Sequence, residues 1–376
     1  MTQVAPRSAY FHVPFCLHRC GYCNFTLVAN RADLVPTYLE ALELELASLH
    51  QQYEVDTLYF GGGTPTYLDP DSLSKLSELV LSRFVLAADY EWTVEANPGD
   101  LDRQRIEVLA SRGVNRISLG VQSFDAEKLR VLQRDHDREA IFNAVQLARE
   151  ANMRVSLDLM FAAPKESLAS WLSDLQAAIE LEPNHVSTYG LTFEQGTTFW
   201  NRLEKGELAR RPEELEREMY LAAIDRLSEA GLEHYEISNF AQPNEQSRHN
   251  TVYWAGDPYF AFGPGAASYV DGARETNHRS TTTYLNKVLA GQSPVAERET
   301  LDDEQRAREL FIFGLRRIAG VNKHEFLTRA GVSIEALAGP QIEKFVDLGL
   351  LVDDGIGIRL TREGLLVSDS LWPDFL

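Results

Sequence analysis

The chain has 376 residues, of which 44% are hydrophobic and 24% are charged, proportions that are ordinary for a folded globular protein. Its 56 acidic and 36 basic residues give a net charge of −20, which argues against nucleic-acid binding and permanent docking on an anionic membrane. A peripheral membrane contact through a local basic patch stays open. No run approaches the roughly 18 apolar residues of a membrane span, and the N-terminus lacks a signal peptide's apolar core, so we expect a cytoplasmic protein.

Short β-rich runs alternate with amphipathic stretches over the first part of the chain. The predicted strands are residues 9–13, 55–61, 91–96, 115–121, 154–161 and 185–191. The clearest predicted helices are residues 34–53, 70–84 and 168–182. This alternation predicts an α/β fold with a parallel sheet covered by helices, and six units favour a partial (β/α)6 TIM-like barrel.

Chemistry in such barrels is found at the carboxyl ends of the strands, and the notable segments of this chain fall there. A cysteine-rich loop follows the first predicted strand, GGGTPT (61–66) the second and EANPGD (95–100) the third. GVQSF (120–124) ends the fourth strand, and Asp158 lies near the end of the fifth. We therefore expect these segments to form one site.

All three cysteines of the chain, Cys16, Cys20 and Cys23, lie in HVPFCLHRCGYCNF (12–25), with the spacing C-x3-C-x2-C. In a cytoplasmic protein such a cluster indicates metal ligands or redox groups rather than disulfides. Thiolates favour zinc or iron–sulfur chemistry. A [4Fe–4S] cluster on three cysteines would leave one iron open, whereas a zinc site would need His12 or His18 as its fourth ligand. Three unrelated thiols are the remaining alternative.

The alternation ends after residue 195, so we predict three regions: a barrel at 1–200, a continuation at 201–295 and a C-terminal domain at 296–376. The continuation has a predicted helix near 212–231 and the segment HNTVYW (249–254). In the C-terminal region, helices precede a hairpin that turns at residues 353–357, which indicates an α+β winged-helix-like unit. A DNA-binding regulator with an iron–sulfur sensor is one possible function of such a unit, but the acidic composition disfavours it.

The coupling of C-x3-C-x2-C after the first strand to GGGTP after the second resembles the radical S-adenosylmethionine (SAM) superfamily. EANPGD, RISLGVQSFD and the C-terminal tail extend the resemblance to the family of oxygen-independent coproporphyrinogen III oxidase, over nearly the whole chain. The resemblance implies a [4Fe–4S] cluster on the three cysteines, with the amino and carboxylate groups of SAM on the open iron. The reduced cluster would cleave SAM to methionine and a 5′-deoxyadenosyl radical.

The resemblance also implies that ten residues contact SAM: Tyr10, Tyr22, Gly62, Gly63, Thr64, Glu95, Gln122, Arg134, Asp158 and Gly190. The glycines, which lack Cβ, would let the backbone approach the ligand and present amides to it, and Thr64 would add a hydroxyl. The segment LMFAAPKES (159–167) departs from the family, because relatives usually have Gly-Leu-Pro there.

Two features separate the branches of this family. The oxidase has a further cysteine two residues after the third, where this chain has Phe25. HNTVYW resembles the HNxxYW motif of the heme-chaperone branch, which implies His249 as an axial heme ligand, Asn250 as its orienting group, and Tyr253 and Trp254 as flat apolar surface.

We therefore expect a monomeric or dimeric heme chaperone that binds a [4Fe–4S] cluster, SAM and heme. It would pass heme to a hemoprotein acceptor, for which we expect a protein of the respiratory chain. We assign no catalytic residue and expect no coproporphyrinogen oxidase activity. The alternative function is the oxidative decarboxylation of coproporphyrinogen III by the deoxyadenosyl radical.

Overall fold

The computed structural model describes residues 5–376. Its strands are β1 (Ser8–Val13), β2 (Phe15–Cys16), β3 (Val28–Ala29), β4 (Tyr53–Gly62), β5 (Phe84–Ala96), β6 (Arg116–Gln122), β7 (Arg154–Phe161), β8 (His185–Gly190), β9 (Glu233–Glu236), β10 (Asn239–Ala241), β11 (Phe260–Phe262), β12 (Ala267–Val270), β13 (Ala273–Asn277), β14 (Val295–Thr300), β15 (Val321–Asn322), β16 (Leu351–Asp353) and β17 (Gly357–Leu360). Its helices are α1 (Val35–Leu46), α2 (Pro70–Leu81), α3 (Arg103–Arg112), α4 (Ala126–Val131), α5 (Arg138–Glu150), α6 (Leu168–Glu180), α7 (Thr198–Glu204), α8 (Glu213–Glu229), α9 (Arg248–Ala255), α10 (Thr281–Leu289), α11 (Asp303–Leu315), α12 (Lys323–Ala330), α13 (Ile334–Asp347), α14 (Arg362–Leu366) and α15 (Ser368–Leu371). Within residues 5–376, no helix combines the length and the apolar character needed to cross a bilayer.

The main sheet has nine strands in the order β11-β1-β4-β5-β6-β7-β8-β10-β9. Its six central strands, β1 and β4 to β8, pair in parallel with one another. These six strands confirm the predicted α/β fold with a partial (β/α)6 barrel. At one edge β11 adds a parallel strand to β1, and at the other β10 pairs antiparallel with β8.

All six predicted strands are present, but the start of one strand and the ends of two helices were predicted wrongly. Helix α1 ends at Leu46 rather than at 53, and α2 ends at Leu81 rather than at 84. The reason is that Tyr53 begins β4 and Phe84 begins β5, and these two residues are partners in the sheet. Strand β5 is therefore much longer than predicted.

Aspartate side chains begin four consecutive helices of the barrel. The carboxylates of Asp69, Asp102, Asp125 and Asp137 accept hydrogen bonds from backbone amides in the first turns of α2, α3, α4 and α5. Such caps stabilise a helix by about 1 kcal/mol each, and the negative charge favours the positive end of the helix dipole. The loops that lead into α2, α3, α4 and α5 are thus attached to the first turns of their helices.

The C-terminal region forms its own hydrophobic core, which includes Phe311, Phe345 and Phe375. Strands β15, β17 and β16 form a small antiparallel sheet beside α11, α12 and α13. The hairpin of β16 and β17 turns at the predicted position, where Asp354 accepts hydrogen bonds from the amides of Ile356 and Gly357. The winged-helix-like α+β unit is therefore present.

Candidate functional site

A cavity of about 920 Å³ lies at the carboxyl ends of the barrel strands and extends between them into the barrel. It brings together most of the predicted site residues: Cys16, Cys20, Tyr22, Cys23, Gly62, Gly63, Thr64, Glu95, Gln122, Arg134, Asp158 and Gly190. Tyr10 and His249 do not line it. We call this space the main cavity.

The three cysteines lie in the loop between β1 and α1, which is folded by the pairing of β2 with β3 and by a turn in which the Cys23 amide donates to the Cys20 carbonyl. None of them is in a disulfide. Burial raises the pKa of Cys16 to about 12 and also raises the pKa of Cys23. A metal that binds these thiols must therefore displace their protons.

Three side chains lie within hydrogen-bond reach of these sulfurs, and one of them is His18, whose Nε2 is 3.7 Å from the Cys20 sulfur. The Thr64 hydroxyl is 3.4 Å from the Cys16 sulfur, and Nη1 of Arg134 is 3.5 Å from the Cys20 sulfur. The Thr64 hydroxyl and the Arg134 guanidinium can both donate to a thiolate. The positive charge of the guanidinium would also offset the negative charge of a cysteine-ligated cluster. The surroundings therefore suit thiolate ligands once a metal is present.

The histidines that a zinc site would need have other partners. Nδ1 of His12 is 3.0 Å from the Tyr10 hydroxyl and Nε2 is 2.7 Å from the Thr26 carbonyl, while Nε2 of His18 is 2.6 Å from the Gln133 carbonyl. Among residues 5–376, no three or more His, Cys, Asp or Glu side chains are arranged so that they could hold one metal ion. A cluster instead takes each thiolate on a different iron, so the set of three thiols beside a cavity fits [4Fe–4S] better than zinc.

The glycines at the end of β4 allow the cysteine loop to pack closely. Gly62 has a φ of +107°, and a Cβ there would lie 2.4 Å from the ring of His12. At Gly63 a Cβ would lie 2.6 Å from the carbonyl oxygen of Phe15, next to Cys16. These glycines therefore position the cysteines, because no side chain fits between the strand and the loop.

The amides of this segment donate to protein groups. Gly62 donates to the Glu95 carboxylate at 3.0 Å, Gly63 to the Val13 carbonyl at 2.9 Å and Thr64 to the Phe15 carbonyl at 2.7 Å. Each of these amides thus has an acceptor within the protein, and their presentation to SAM stays a prediction. Gly62, Gly63 and Thr64 all line the cavity.

Two carboxyl groups face the main cavity from neighbouring parts of the barrel. Glu95 accepts hydrogen bonds from the Tyr59 hydroxyl at 2.8 Å and from the Gly62 amide, and Asp158 accepts from the Ser118 hydroxyl at 3.1 Å. Burial raises the pKa of Glu95 to about 7 and that of Asp158 to about 6. Each group can therefore accept or donate a hydrogen bond near neutral pH.

Arg134 and Gln122 provide polar atoms that have no partner in the protein. Nη2 of Arg134 donates to the Asn97 side chain at 2.5 Å and to the Gly120 carbonyl at 2.9 Å, but its buried Nε has no partner. The buried Oε1 of Gln122 also lacks a donor, and this residue has a strained φ of +63°. Unsatisfied and strained groups of this kind concentrate at ligand sites, so they fit the predicted SAM position.

The segment that departs from the family is strained. Ala162 has a φ of +62° and Lys165 a φ of +69°, conformations that glycine adopts more easily. Gly190 is paired with Phe161 in the neighbouring strand, and a Cβ on it would approach the Phe161 ring to 3.3 Å. Gly190 thus lines the cavity while Phe161 packs behind it.

Tyr10 lies behind the cavity wall. Its ring stacks on that of Tyr59, with 5.9 Å between ring centroids, and its hydroxyl bonds to His12. Tyr59 itself lines the cavity, as do Arg116 and His185, and none of these three was predicted. The signal that could have identified them is the two-residue alternation of strands β4, β6 and β8, which places them on the inner surface.

The predicted heme motif forms α9, whose amide at Asn250 is capped by the Ser247 hydroxyl at 3.3 Å. His249 is 1% exposed and has hydrogen bonds at both ring nitrogens, 2.8 Å from the Thr57 hydroxyl and 2.7 Å from that of Tyr253. Burial lowers its pKa to about 3. The imidazole is therefore neutral, as an iron ligand must be, but neither nitrogen is free in this arrangement.

The other motif residues lie on two different cavities. Asn250 lines the main cavity at its deep end, whereas Tyr253 and Trp254 line a second cavity of about 380 Å³ between α9 and α11. Phe313 from α11 adds an aromatic ring to this second cavity, and Arg274 and Glu309 add an ion pair. The motif thus connects the barrel to the C-terminal region.

Comparison with known proteins supports both parts of this architecture. Residues 10–178 match the Radical SAM superfamily and residues 301–367 match the HemN C-terminal domain. The chain is 35% identical to the heme chaperone HemW of Bacillus subtilis over 98% of this chain and 99% of the relative. It is 33% identical to HemW of Escherichia coli over the full length of both. The structure resembles coproporphyrinogen III oxidase (HemN) of Escherichia coli with a TM-score of 0.87 and 24% identity, covering 98% of this chain and 90% of that one, which shows the shared fold.

Proposed function

Because the chain belongs to the HemW family within the radical SAM superfamily, we propose that it is a heme chaperone, which binds heme and passes it to a hemoprotein acceptor. The observation that carries this proposal is the match along the whole length to relatives named heme chaperone HemW. Phe25 supports it: this side chain is 66% exposed beside the cysteines, at the position where the oxidase has a further cysteine. The proposal includes the nature of the acceptor, which we expect to be a respiratory-chain enzyme.

In this proposal Cys16, Cys20 and Cys23 hold the [4Fe–4S] cluster, and SAM occupies the adjoining part of the main cavity. The bound pair supplies one-electron chemistry at the SAM sulfonium. Thr64 and Arg134 donate to the cysteine sulfurs and stabilise their negative charge. Glu95 accepts hydrogen bonds near the cysteine loop and keeps the Gly62 backbone in place.

Heme would lie against Tyr253 and Trp254, whose rings provide flat apolar surface in the second cavity. The indole Nε1 of Trp254 is buried without a hydrogen-bond partner, so this ring has a donor to offer to a bound molecule. For His249 to bind iron, Tyr253 would have to give up its hydrogen bond to Nε2. His249 lines neither cavity, so its role as axial ligand is a prediction that also requires a rearrangement around α9.

Hemin titration of the purified chain tests the proposal. The wild type should bind hemin with a shifted Soret band and should transfer it to an apo-hemoprotein. We expect His249→Ala and Trp254→Ala to weaken binding at least about tenfold, since each removes a ligand or a stacking surface. His50→Ala, which changes an exposed histidine, is the matched control.

Unchanged spectra and affinity in His249→Ala would show that another residue binds the iron. Failure of the wild type to bind hemin would contradict the chaperone function itself. Efficient decarboxylation of coproporphyrinogen III by the reduced, reconstituted protein with SAM would favour the oxidase instead. Cytoplasmic location and a monomeric or dimeric state stay predictions, to be checked by cell fractionation and by light scattering.

A further inference from the structure

The interior of this barrel is polar and open, although barrel interiors are usually filled by layers of branched apolar side chains. The main cavity continues past the SAM region along the inner surfaces of β5 to β8. The inward positions there carry mainly polar side chains: Thr93, Arg116, Ser118, Ser156, His185 and Ser187. Open space surrounded by polar groups suits a second polar ligand.

Arg116 marks the deep end of this space. It begins β6, whereas Gln122 ends the same strand at the level of the predicted SAM contacts. Six residues of extended chain separate the two by about 20 Å. A ligand at Arg116 would therefore occupy a different part of the cavity from SAM, beneath it.

The guanidinium of Arg116 is 1% exposed and incompletely bonded. Its Nη2 donates to the Glu245 carbonyl at 2.7 Å, and its Nε is 3.2 Å from the Glu91 carboxylate without a well-directed hydrogen bond. Its Nη1 has no partner. The hydroxyl of Thr93, 2% exposed, is also without a partner, and Thr93 is the direct neighbour of Arg116 in the sheet.

Buried polar groups that lack partners are rare, and two on adjacent strands beside one cavity point to a bound molecule. The charge of Arg116 is already balanced, because Glu91 and Glu245 lie near both Arg116 and Arg154. Nη1 of Arg116, which has no hydrogen-bond partner, is therefore not needed for the ion pairs of the protein. A monovalent anion suits the site better than a doubly charged phosphate, which the two carboxylates would repel.

We propose that the deep end of the main cavity binds a small organic acid, whose carboxylate accepts hydrogen bonds from Nη1 of Arg116 and the hydroxyl of Thr93. The ligand binds beneath SAM, at the same time as SAM. A carboxylate is favoured over a neutral group because hydrogen bonds from guanidinium to an anion are about twice as strong. Asn250, which also lines this end of the cavity, closes it from α9.

The test uses the full chain, reconstituted with its cluster and saturated with SAM, and saturation-transfer NMR. The probes are acetate, succinate and benzoate, each compared with its uncharged amide, with inorganic phosphate as a further competitor. We expect at least one acid to bind about tenfold more tightly than its amide and more tightly than phosphate.

Variants locate the binding. Thr93→Val removes an unpartnered hydroxyl without removing any hydrogen bond of the protein, so it should fold normally and weaken acid binding about three- to tenfold. Thr66→Val is the matched control, because the Thr66 hydroxyl is also buried without a partner but lies outside the cavity. The double variant Arg116→Met with Glu91→Gln removes one charge of each sign and should weaken binding about tenfold or more.

Three results would overturn the proposal: no acid of the panel binds the wild type, acids and amides bind equally, or Thr93→Val and Thr66→Val have equal effects. If the double variant does not fold, Thr93→Val still decides the question. None of these results depends on heme binding, so the test is independent of the chaperone function.

Discussion

The carboxyl group of Glu95 makes the stability of the barrel depend on pH. Because burial raises the pKa of Glu95 to about 7, the folded state retains the proton to higher pH than the unfolded chain does. This contribution is fully present below the ordinary glutamate pKa of about 4.3 and is lost as the pH rises through 7. Asp158, with a pKa raised to about 6, acts in the same direction.

We predict that the free energy of unfolding of the cluster-free chain falls between pH 5 and pH 8, and that Glu95→Gln removes about 2–3 kcal/mol of this fall. Urea unfolding at both pH values measures it. Glu127→Gln is the control. Arg130 lowers the pKa of the Glu127 surface carboxyl, so the contribution of this group to stability changes with pH in the opposite direction. Equal pH dependence in Glu95→Gln and the wild type would contradict the prediction.

Ala162 illustrates a backbone strain that glycine would relieve. A φ of +62° destabilises an L-residue by about 1–2 kcal/mol, and glycine avoids this cost. Glycine also loses more conformational entropy on folding than alanine does, which offsets part of the benefit. We predict that Ala162→Gly stabilises the protein by about 0.5–1 kcal/mol, measured by chemical denaturation. Ala163→Gly, at the next buried position without a positive φ, should destabilise it by a similar amount; stabilisation by both changes would refute the strain explanation.

The cysteine loop depends on the end of β4 for its shape. Gly62→Ala combines an unfavourable φ with a Cβ 2.4 Å from the His12 ring, so we expect it to destabilise the protein by about 2–4 kcal/mol. The displaced loop should also bind less iron after anaerobic reconstitution, with a weaker absorbance near 400 nm. Iron analysis and absorbance spectra measure this loss.

Gly99→Ala is the matched control for this prediction. A Cβ at Gly99 would meet nothing closer than 3.6 Å, and the residue has no positive φ. Iron content and stability should remain close to those of the wild type. Full cluster content in Gly62→Ala would show that the loop tolerates a shifted strand end.

The six parallel strands and the gathering of loop residues were predictable, because β-rich runs and the carboxyl-end rule depend on local sequence. The ends of α1 and α2 were not, because Tyr53 and Phe84 are held in strands by each other across the sheet. The position of His249 was not predictable either. A six-residue motif identifies its side chains, but the docking of α9 under the barrel decides which of them are buried.

The surface of the C-terminal hairpin argues against DNA binding by the whole molecule. Lys323 lies 2.8 Å from Asp353 and 2.9 Å from Glu335, and Arg359 lies 2.6 Å from Asp354, so these basic groups have acidic partners. The net charge of −20 opposes a phosphate backbone further.

We predict that the full chain shows no binding to duplex DNA at about 150 mM salt, measured by fluorescence anisotropy. The wild type is compared with the double variant Asp353→Asn with Asp354→Asn. This variant removes acidic partners of the basic residues beside the hairpin. Tight, salt-sensitive binding by the wild type would contradict the prediction and revive the regulator hypothesis.

The pairing of β1 with β11 has a consequence for synthesis on the ribosome. Ala9, on the strand that leads into the cysteine loop, is the sheet partner of Phe260, so its neighbour is translated about 250 residues later. At roughly 5–20 residues per second, this strand waits on the order of ten seconds to a minute for that neighbour. During this interval the nascent barrel exposes an unpaired edge, which is a template for aggregation. Insertion of the cluster before β11 emerges would therefore have to occur on an incomplete sheet.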